Sequence, residues 1–337
     1  MLRAVSPTKM NLSLLLKCIG YTIICLLILF FVIHLDWGQV VNQVLNVGWK
    51  YWLILPINVT AYYFGTLSWK YCLGNERLGK STWYLFKIRH IGETLAIINP
   101  TNVIAGDSAK HFLLKNKCVD KNACIASLFL SRIIIIIAAM LLGLSAFVYL
   151  LFKLPHKDLH PWVILMLISV LVVIIILIWG LITSKKLYLF KICQKLWSPF
   201  NFSGRGIIVL NRINQLNTTF ASYYHNNKQA LFISFSFAIL HWIFGAVEFG
   251  FILSLLGLPI TWMESLTLEM GVALVKSIGT IIPGQIGIEE YGTKVMLLSI
   301  GFATSTLWVS VSILRRMRQL LWLAVGMIFF VLVKKNK

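Results

Sequence analysis

One pattern occurs twice in this 337-residue chain: a proline within an apolar stretch, an acid seven residues later and an arginine 32 residues later. The first copy is Pro100, Asp107 and Arg132, and the second is Pro283, Glu290 and Arg315. Both prolines lie in stretches too apolar for ordinary loops and too broken for ordinary spans. Two interrupted hydrophobic segments at matching positions of two halves are typical of a transporter with a site between its halves.

The composition indicates that the solvent of this chain is lipid. Hydrophobic residues make up 58% of the chain and charged residues only 12%, which is more apolar surface than a soluble domain of this length needs. The net charge of +20 does not indicate nucleic acid, because the basic residues lie between apolar runs; it is typical of topogenic charge and of attraction to anionic headgroups. We therefore predict an all-α polytopic membrane protein, residues 1–337 forming a single membrane domain.

The chemistry of common enzymes and metal sites has no sequence signal here. The six cysteines show no metal-ligand spacing, and there is no nucleophile elbow, phosphate loop or paired-aspartate motif. We expect reduced thiols, no metal, no cofactor and no catalytic residue. The first apolar run is about as long as a span and has no small-residue cleavage site, so it is interpreted as an anchor.

Six segments are long and apolar enough to be full spans. Two further apolar stretches, 91–107 and 262–290, are broken, and we interpret each as a re-entrant hairpin. The predicted spans are Leu14–His34, Tyr51–Leu73, Ala123–Leu150, Pro161–Ile182, Leu231–Leu256 and Thr306–Val333.

The basic residues predict the orientation. The N-terminal segment, 74–122, 183–228 and the C-terminal segment together hold 21 Lys and Arg, whereas the other three connections hold 5. Cytoplasmic connections carry the excess, so both termini are expected in the cytoplasm. Three crossings then separate the two hairpins, which places them on opposite faces of the membrane.

An odd number of crossings makes the two halves, 10–150 and 160–333, an inverted repeat. Arg132 and Arg315 each lie nine residues into their span, from opposite ends, at a depth of about 13 Å. The segment 183–228 is basic and aromatic, and we expect it to lie as helix on the cytoplasmic surface.

The two buried arginines have two compatible interpretations. An arginine inside a span costs about 2.5–3.5 kcal/mol on insertion scales and is normally paired or facing water. Arginine also suits bidentate binding of phosphate. Arg132 and Arg315 are therefore candidates for a phosphate-headgroup site, or for structural ion pairs that fix each hairpin to its span.

Asp107 and Glu290 are the expected counter-ions of these arginines and candidates for proton coupling. Glu289 is expected to point elsewhere, as a solvated loop acid. On the last span, Arg318 and Gln319 follow Arg315 on one helical face and are predicted to bind substrate. Arg316 lies on a different face and is expected to have a separate partner.

The residues around the two prolines predict a second kind of anion site. Gly106, Gly284 and Gly287 allow positive φ or close backbone approach. Asn102 and Gln285 are placed to cap a following half-helix, whose N-terminus is favourable for anions. Simple turn chemistry is the alternative interpretation of these residues.

Two polar residues lie two turns apart on the fifth span. Glu248 is in mid-span, where a functional role is the default hypothesis, and it is grouped with Asp107 and Glu290 as a coupling or counter-ion residue. His241 is more typical of a hydrogen-bonded packing residue, since too few ligands accompany it for a metal site.

The motifs resemble the lysylphosphatidylglycerol synthase transmembrane region, also called the flippase-like family. Three stretches carry the resemblance: Asn99–Asp107 with Ser127–Arg132, Pro283–Glu290, and Ser312–Arg316. Gln285 stands where the family usually has glycine, and Asp107 where glutamate is common. The resemblance covers about residues 10 to 333 and implies lipid translocation, without the soluble aminoacyltransferase domain that some relatives carry.

This resemblance and the repeat together predict a flippase of the bacterial or archaeal cytoplasmic membrane. Its substrate is expected to be an anionic phospholipid or a polyprenyl-phosphate-linked lipid. The alternatives are an intramembrane enzyme that modifies lipid headgroups and an accessory scaffold for envelope lipid synthesis. A second copy of the chain and envelope-synthesis enzymes are the candidate protein partners, and nucleic acid is not one.

Overall fold

The computed structural model describes residues 37–74, 81–99, 103–114, 121–153, 227–279, 285–302 and 304–335. All regular secondary structure in these ranges is helical. The predicted spans Leu14–His34 and Pro161–Ile182 and residues 183–226 of the basic segment lie outside the described residues.

The described ranges form a series of α-helices and one 3-10 helix. In chain order they are α1 (Trp37–Val47), a 3-10 helix (Gly48–Leu53), α2 (Ile54–Cys72), α3 (Thr82–Ile98), α4 (Val103–Leu114), α5 (Lys121–Lys153), α6 (Lys228–Leu255), α7 (Trp262–Ile278), α8 (Ile288–Ser299) and α9 (Ser305–Lys335).

In the described part of the chain, three helices are long and apolar enough to cross a membrane: α5, α6 and α9. They confirm three of the predicted spans. The predicted span Tyr51–Leu73 begins as the 3-10 helix and continues as α2, which is not in this group. Its buried polar side chains, such as Asn58, Thr66 and Ser68, lower its hydropathy, and it packs more extensively against α6 than against any other described helix.

Each broken stretch is part of a longer helical hairpin. α3 packs against α4, and α7 packs against α8. The first hairpin therefore covers 82–114 rather than 91–107, and the second covers 262–299 rather than 262–290. Pro100 and Pro283 belong to residues 100–102 and 280–284, which the structure does not describe. The side from which each hairpin enters the membrane stays a prediction.

The hairpins exchange partners between the halves. α3 of the first hairpin packs against α9, the arginine-bearing helix of the second half, and α7 packs against α5, the arginine-bearing helix of the first half. The order of long helix, hairpin and arginine-bearing helix is thus repeated in α2–α5 and in α6–α9. The inverted orientation of the two halves stays a prediction.

Glycines allow several of these helices to touch. A Cβ at Gly106 of α4 would lie 2.6 Å from the carbonyl oxygen of Gly92 in α3, and a Cβ at Gly326 of α9 would collide with Thr94. Since neither position has room for a methyl group, the close backbone approach predicted for Gly106 is confirmed.

The region formed by α1 and the following 3-10 helix carries features of a membrane-interface element. The side chains of Trp49 and Trp52 are exposed, as is typical of aromatic residues at the headgroup level. Two hydrogen bonds attach this region to α9: Ser310 Oγ donates to Gln43 Oε1 at 2.6 Å, and Tyr51 Oη donates to the Leu314 carbonyl at 3.2 Å. The N-terminal part of α9 is therefore held at the level of α1.

Candidate functional site

The first charge cluster joins the first hairpin to α5. Arg132 Nε and Nη2 donate to the two carboxylate oxygens of Asp107 at 3.2 and 3.1 Å. Lys110, one turn further along α4, donates to Asp107 at 3.1 Å and is buried. The predicted ion pair between Arg132 and Asp107 is present, and it ties the second helix of the hairpin to its span.

An ion pair within α3 completes this cluster. Arg89 Nε lies 2.8 Å from Glu93 Oε1, one turn along the same helix. Among the described residues, the first cluster thus contains three cations, Arg89, Lys110 and Arg132, and two carboxylates, Glu93 and Asp107. It carries one surplus positive charge in a largely buried position.

The second cluster is centred on Arg315. Arg315 Nε donates to Glu289 Oε1 and Nη1 donates to Glu269 Oε2, both at 3.1 Å. The guanidinium also lies 4.5 Å from the ring centroid of Phe249, a cation–π distance. The side chain of Arg315 is only 6% exposed, so its hydrogen-bonding groups are directed at protein partners.

Two sequence-based assignments in this cluster were wrong. Arg315 pairs with Glu289 and not with Glu290, and Glu289 is buried rather than a solvated loop acid. Glu290 pairs with Arg316, whose Nε lies 2.6 Å from Glu290 Oε1; the separate partner predicted for Arg316 is thus present. α8 begins directly after Gly287 at φ 84°, and consecutive helical residues point about 100° apart.

Glu248 and His241 also have defined partners. Glu248 of α6 accepts from Arg318 Nη1 and from Asn58 of α2. His241 Nδ1 contacts the Ala61 carbonyl at 2.8 Å, which agrees with a packing role. Glu248 therefore connects α2, α6 and α9.

The second cluster is electrically neutral. Its four cations are balanced by four carboxylates in the described residues, and all eight make ion pairs. The cations are Lys276, Arg315, Arg316 and Arg318, and the carboxylates are Glu248, Glu269, Glu289 and Glu290.

A polar cavity lies between the two hairpins. Its volume is about 150 Å³, and its wall is formed by α2, α3, α7, α8 and α9 together with Gln285. The first hairpin contributes Glu93 and Thr94 among others, whereas the second half contributes Lys276, Glu289 and Arg318. We call it the central cavity. Charged groups from both halves thus meet around one cavity in a chain that is 58% hydrophobic.

Comparison with known families gives one match. The family model for the lysylphosphatidylglycerol synthase TM region matches residues 17–327, which is most of the chain. The chain belongs to this family. Comparisons with curated proteins and with solved structures give no significant match. The match supports a membrane protein related to lipid synthesis or transport.

The structure divides the predicted binding residues of this family member into two groups. Arg318, Gln319 and Gln285 line the central cavity, whereas Arg132 and Arg315 do not. Arg132 lies in the wall of a second, smaller cavity, and Arg315 is enclosed by its acids. The structure therefore does not show one shared site lined by both Arg132 and Arg315.

The backbone groups expected to bind an anion differ in their surroundings. The Gly287 amide donates to Glu290 Oε2 at 2.8 Å, so a side chain of the same helix occupies it. Gln285, at φ 51°, donates from Nε2 to the Lys276 carbonyl at 3.2 Å. Asn102 and Gly284 lie outside the described residues.

Glu93 and Lys276 are functional candidates that sequence reasoning missed. Lys276 donates to Glu289 at 3.0 Å across the second hairpin, and Glu93 lies beside Arg89 in the first. A signal for both was present: each lies seven residues before its proline, as Asp107 and Glu290 lie seven after theirs. The repeated spacing from the proline was thus a signal that both hairpins carry a charged residue before the proline as well as after it.

Proposed function

We propose that this protein moves the phosphate-bearing headgroup of a membrane lipid across the cytoplasmic membrane through the central cavity. The observation that carries the proposal is the cavity itself, which lies between both hairpins and is lined by charged groups of both halves. Ionisable side chains inside a membrane domain mark substrate or ion pathways by default. Discontinuous helices at a repeat interface are where transporters bind their substrates.

Two donors in the cavity wall favour a ligand rich in acceptor oxygens. Arg318 Nε and Trp322 Nε1 are buried and have no hydrogen-bond partner among the described residues, and both residues line the central cavity. Buried donors are normally satisfied. A phosphate or ester oxygen of a lipid headgroup offers the acceptor that these two residues of α9 lack.

The size of the cavity fits a headgroup without its acyl chains. A volume of about 150 Å³ holds a molecule of about the size of benzene. The headgroup therefore crosses inside the protein while the acyl chains stay in the bilayer. Transport in this form leaves the lipid chemically unchanged.

The proposal is tested with purified protein in liposomes that contain a fluorescent phosphatidylglycerol. A quencher that cannot cross the bilayer reports the fraction of labelled lipid in the outer leaflet over time. We expect the protein to make the inner-leaflet label accessible, and protein-free liposomes to retain it. Label that remains protected in the presence of folded protein contradicts the proposal.

A neutral double variant tests whether the central cavity is the route. Replacing Glu248 and Arg318 together by glutamine removes one ion pair of the cavity wall and leaves the cluster balanced. The matched control replaces Lys153 and Glu264, which form an ion pair away from the cavity, in the same way. We expect the first variant to lose transport and the control to retain it; equal rates would exclude the central cavity as the route.

Mass spectrometry of the recovered lipid separates transport from chemistry. An unchanged lipid after complete translocation supports transport. A new lipid species that forms only with protein supports the alternative of a headgroup-modifying enzyme.

A further inference from the structure

The central cavity has a smaller neighbour. This side cavity has a volume of about 20 Å³, which is room for about one water molecule. Its wall includes Lys110, Ser131 and Arg132, and the side chain of Arg132 is 36% exposed. The side cavity therefore lies next to the surface of the domain, beside the surplus positive charge of the first cluster.

Glu93 belongs to the walls of both cavities, and Arg89, its ion-pair partner, belongs to the wall of the side cavity. The pair stands between the two spaces, with 2.8 Å between Arg89 Nε and Glu93 Oε1. Polar groups continue on either side of it. The Arg89–Glu93 pair thus stands between the two cavities.

Arg89 is the fixed member of this pair. Its Nη1 donates to the Tyr62 carbonyl at 2.7 Å, and its guanidinium lies against Gly65 so closely that a Cβ there would collide with it. The side chain of Arg89 is 8% exposed, whereas that of Glu93 is 24% exposed. Glu93 is therefore the member that has room to move.

Cations are available to Glu93 on both sides. The side cavity offers Lys110 and Arg132, and the central cavity offers Lys276 and Arg318. Each of these cations already pairs with a carboxylate, so a carboxylate that leaves Arg89 shares a cation with a second carboxylate in either direction. A charge that moves inside a membrane domain needs a partner of this kind.

We infer that Glu93 is the gate of the headgroup route, closing the side cavity from the central cavity when it pairs with Arg89. The structure shows the closed form. This role rests on the proposed transport function and deepens it, because it names the residue that controls passage along the route. Glu93 acts by position and undergoes no covalent change.

The gate is tested by measuring how fast a cysteine in the side cavity is modified from each side of the membrane. Ser131→Cys is placed in the side cavity, in a chain whose six native cysteines are replaced by alanine. A membrane-impermeant methanethiosulfonate reagent is added to either face of sealed vesicles of known orientation. With Glu93 present, we expect modification from one face to be faster by about tenfold or more, which corresponds to about 1.4 kcal/mol.

Glu93→Ala is expected to bring the two rates together, because reagent then also arrives through the central cavity. Glu93→Gln, which keeps the shape and loses the charge, is expected to act in the same direction and serves where the alanine variant does not fold. The matched control is Glu264→Ala, which removes an ion-paired glutamate that lines neither cavity.

Three outcomes overturn the gate: a rate ratio that Glu93→Ala leaves unchanged in folded protein, equal rates from both faces before the substitution, or no modification from either face. Lipid transport is measured on the same vesicles. If the protein moves no lipid, but modification depends on the side and Glu93→Ala abolishes that dependence, the transport proposal fails. The role of Glu93 as a gate between the two cavities is then still supported.

Discussion

Arg132 and Arg315 occupy matching positions in the two halves, but their surroundings differ. Arg132 is 36% exposed and shares one carboxylate, Asp107, with Lys110. Arg315 is 6% exposed and has two carboxylates of its own cluster, Glu269 and Glu289, within 3.1 Å. The positive charge of the arginine is thus only partly balanced by carboxylates in the first half, whereas it is fully balanced in the second half.

This difference indicates that the two halves have different roles. A neutral, buried cluster such as that around Arg315 fixes helices relative to one another and carries no surplus charge that attracts an anion. The first cluster retains one positive charge, and its outermost member is accessible. We therefore expect an anionic headgroup to meet the first half before the second.

The largest expected effect is the loss of stability on replacing Arg315. Arg315→Met leaves Glu289 and Glu269 without their shared partner, and removing one member of a buried ion pair costs about 3–5 kcal/mol. Arg132→Met is expected to cost about 1 kcal/mol, because its pair is partly exposed.

Thermal unfolding of both variants in one detergent measures this difference. Arg316→Met, which removes a less buried arginine of the same cluster, is the control and should fall between the two. Equal losses for Arg132→Met and Arg315→Met would show that exposure does not distinguish the halves.

Helix packing in the two hairpins gives the second comparison. Gly106→Ala forces a methyl group against the Gly92 carbonyl oxygen, so the backbones of α3 and α4 must separate, at a cost of about 1–3 kcal/mol. Gly271→Ala in the second hairpin meets the end of Met296, a flexible side chain that can move aside. Thermal unfolding should show the larger loss for Gly106→Ala, and the reverse order would contradict the packing described for α3 and α4.

The surplus charge of the first cluster gives the third comparison, measured as transport. Arg132→Gln removes the accessible cation and is expected to slow translocation of phosphatidylglycerol about tenfold, which is a change of about 1.4 kcal/mol in the barrier. Arg132→Lys keeps the charge and should retain most of the rate. If the glutamine variant transports at the native rate, Arg132 serves only to hold Asp107.

The smallest expected effect concerns the first turns of the hairpins. Thr261 and Glu264 form a capping box at the start of α7, whereas Ser81 makes no side-chain hydrogen bond at the start of α3. Thr261→Ala should therefore cost about 1 kcal/mol, and Ser81→Ala should cost nothing measurable. Urea or thermal unfolding of the two variants in the same detergent checks this difference, and a loss in Ser81→Ala would show that it caps α3.

The spacing of the motif predicted the ion pair of Arg132 and Asp107, and the length of the apolar segments predicted three of the long helices. Hydropathy failed where polar residues face the interior of the protein. Arg89 and Lys110 were counted as charges of a cytoplasmic connection, yet both are buried inside the first hairpin. The mean hydropathy of a sequence window depends on how many polar residues it contains. It does not show which face of the helix those residues occupy.

The sequence could not show whether Glu289 or Glu290 pairs with Arg315, for a different reason. The two residues are adjacent, and which one faces Arg315 depends on the residue at which α8 begins. That start is determined by the backbone of Gln285 and Gly287, both at positive φ. A shift of one residue at the tip would exchange the partners of Arg315 and Arg316.

The balance of four cations and four carboxylates in the second cluster constrains how the chain can change over evolution. A single charge-altering substitution at one of these eight positions leaves an unbalanced charge in a buried place, which is strongly destabilising. Tolerated changes should therefore occur in pairs that keep the sum at zero. Across related chains, positions 289 and 315 and positions 248 and 318 are expected to vary together, whereas position 132 is free to change with the lipid of each membrane.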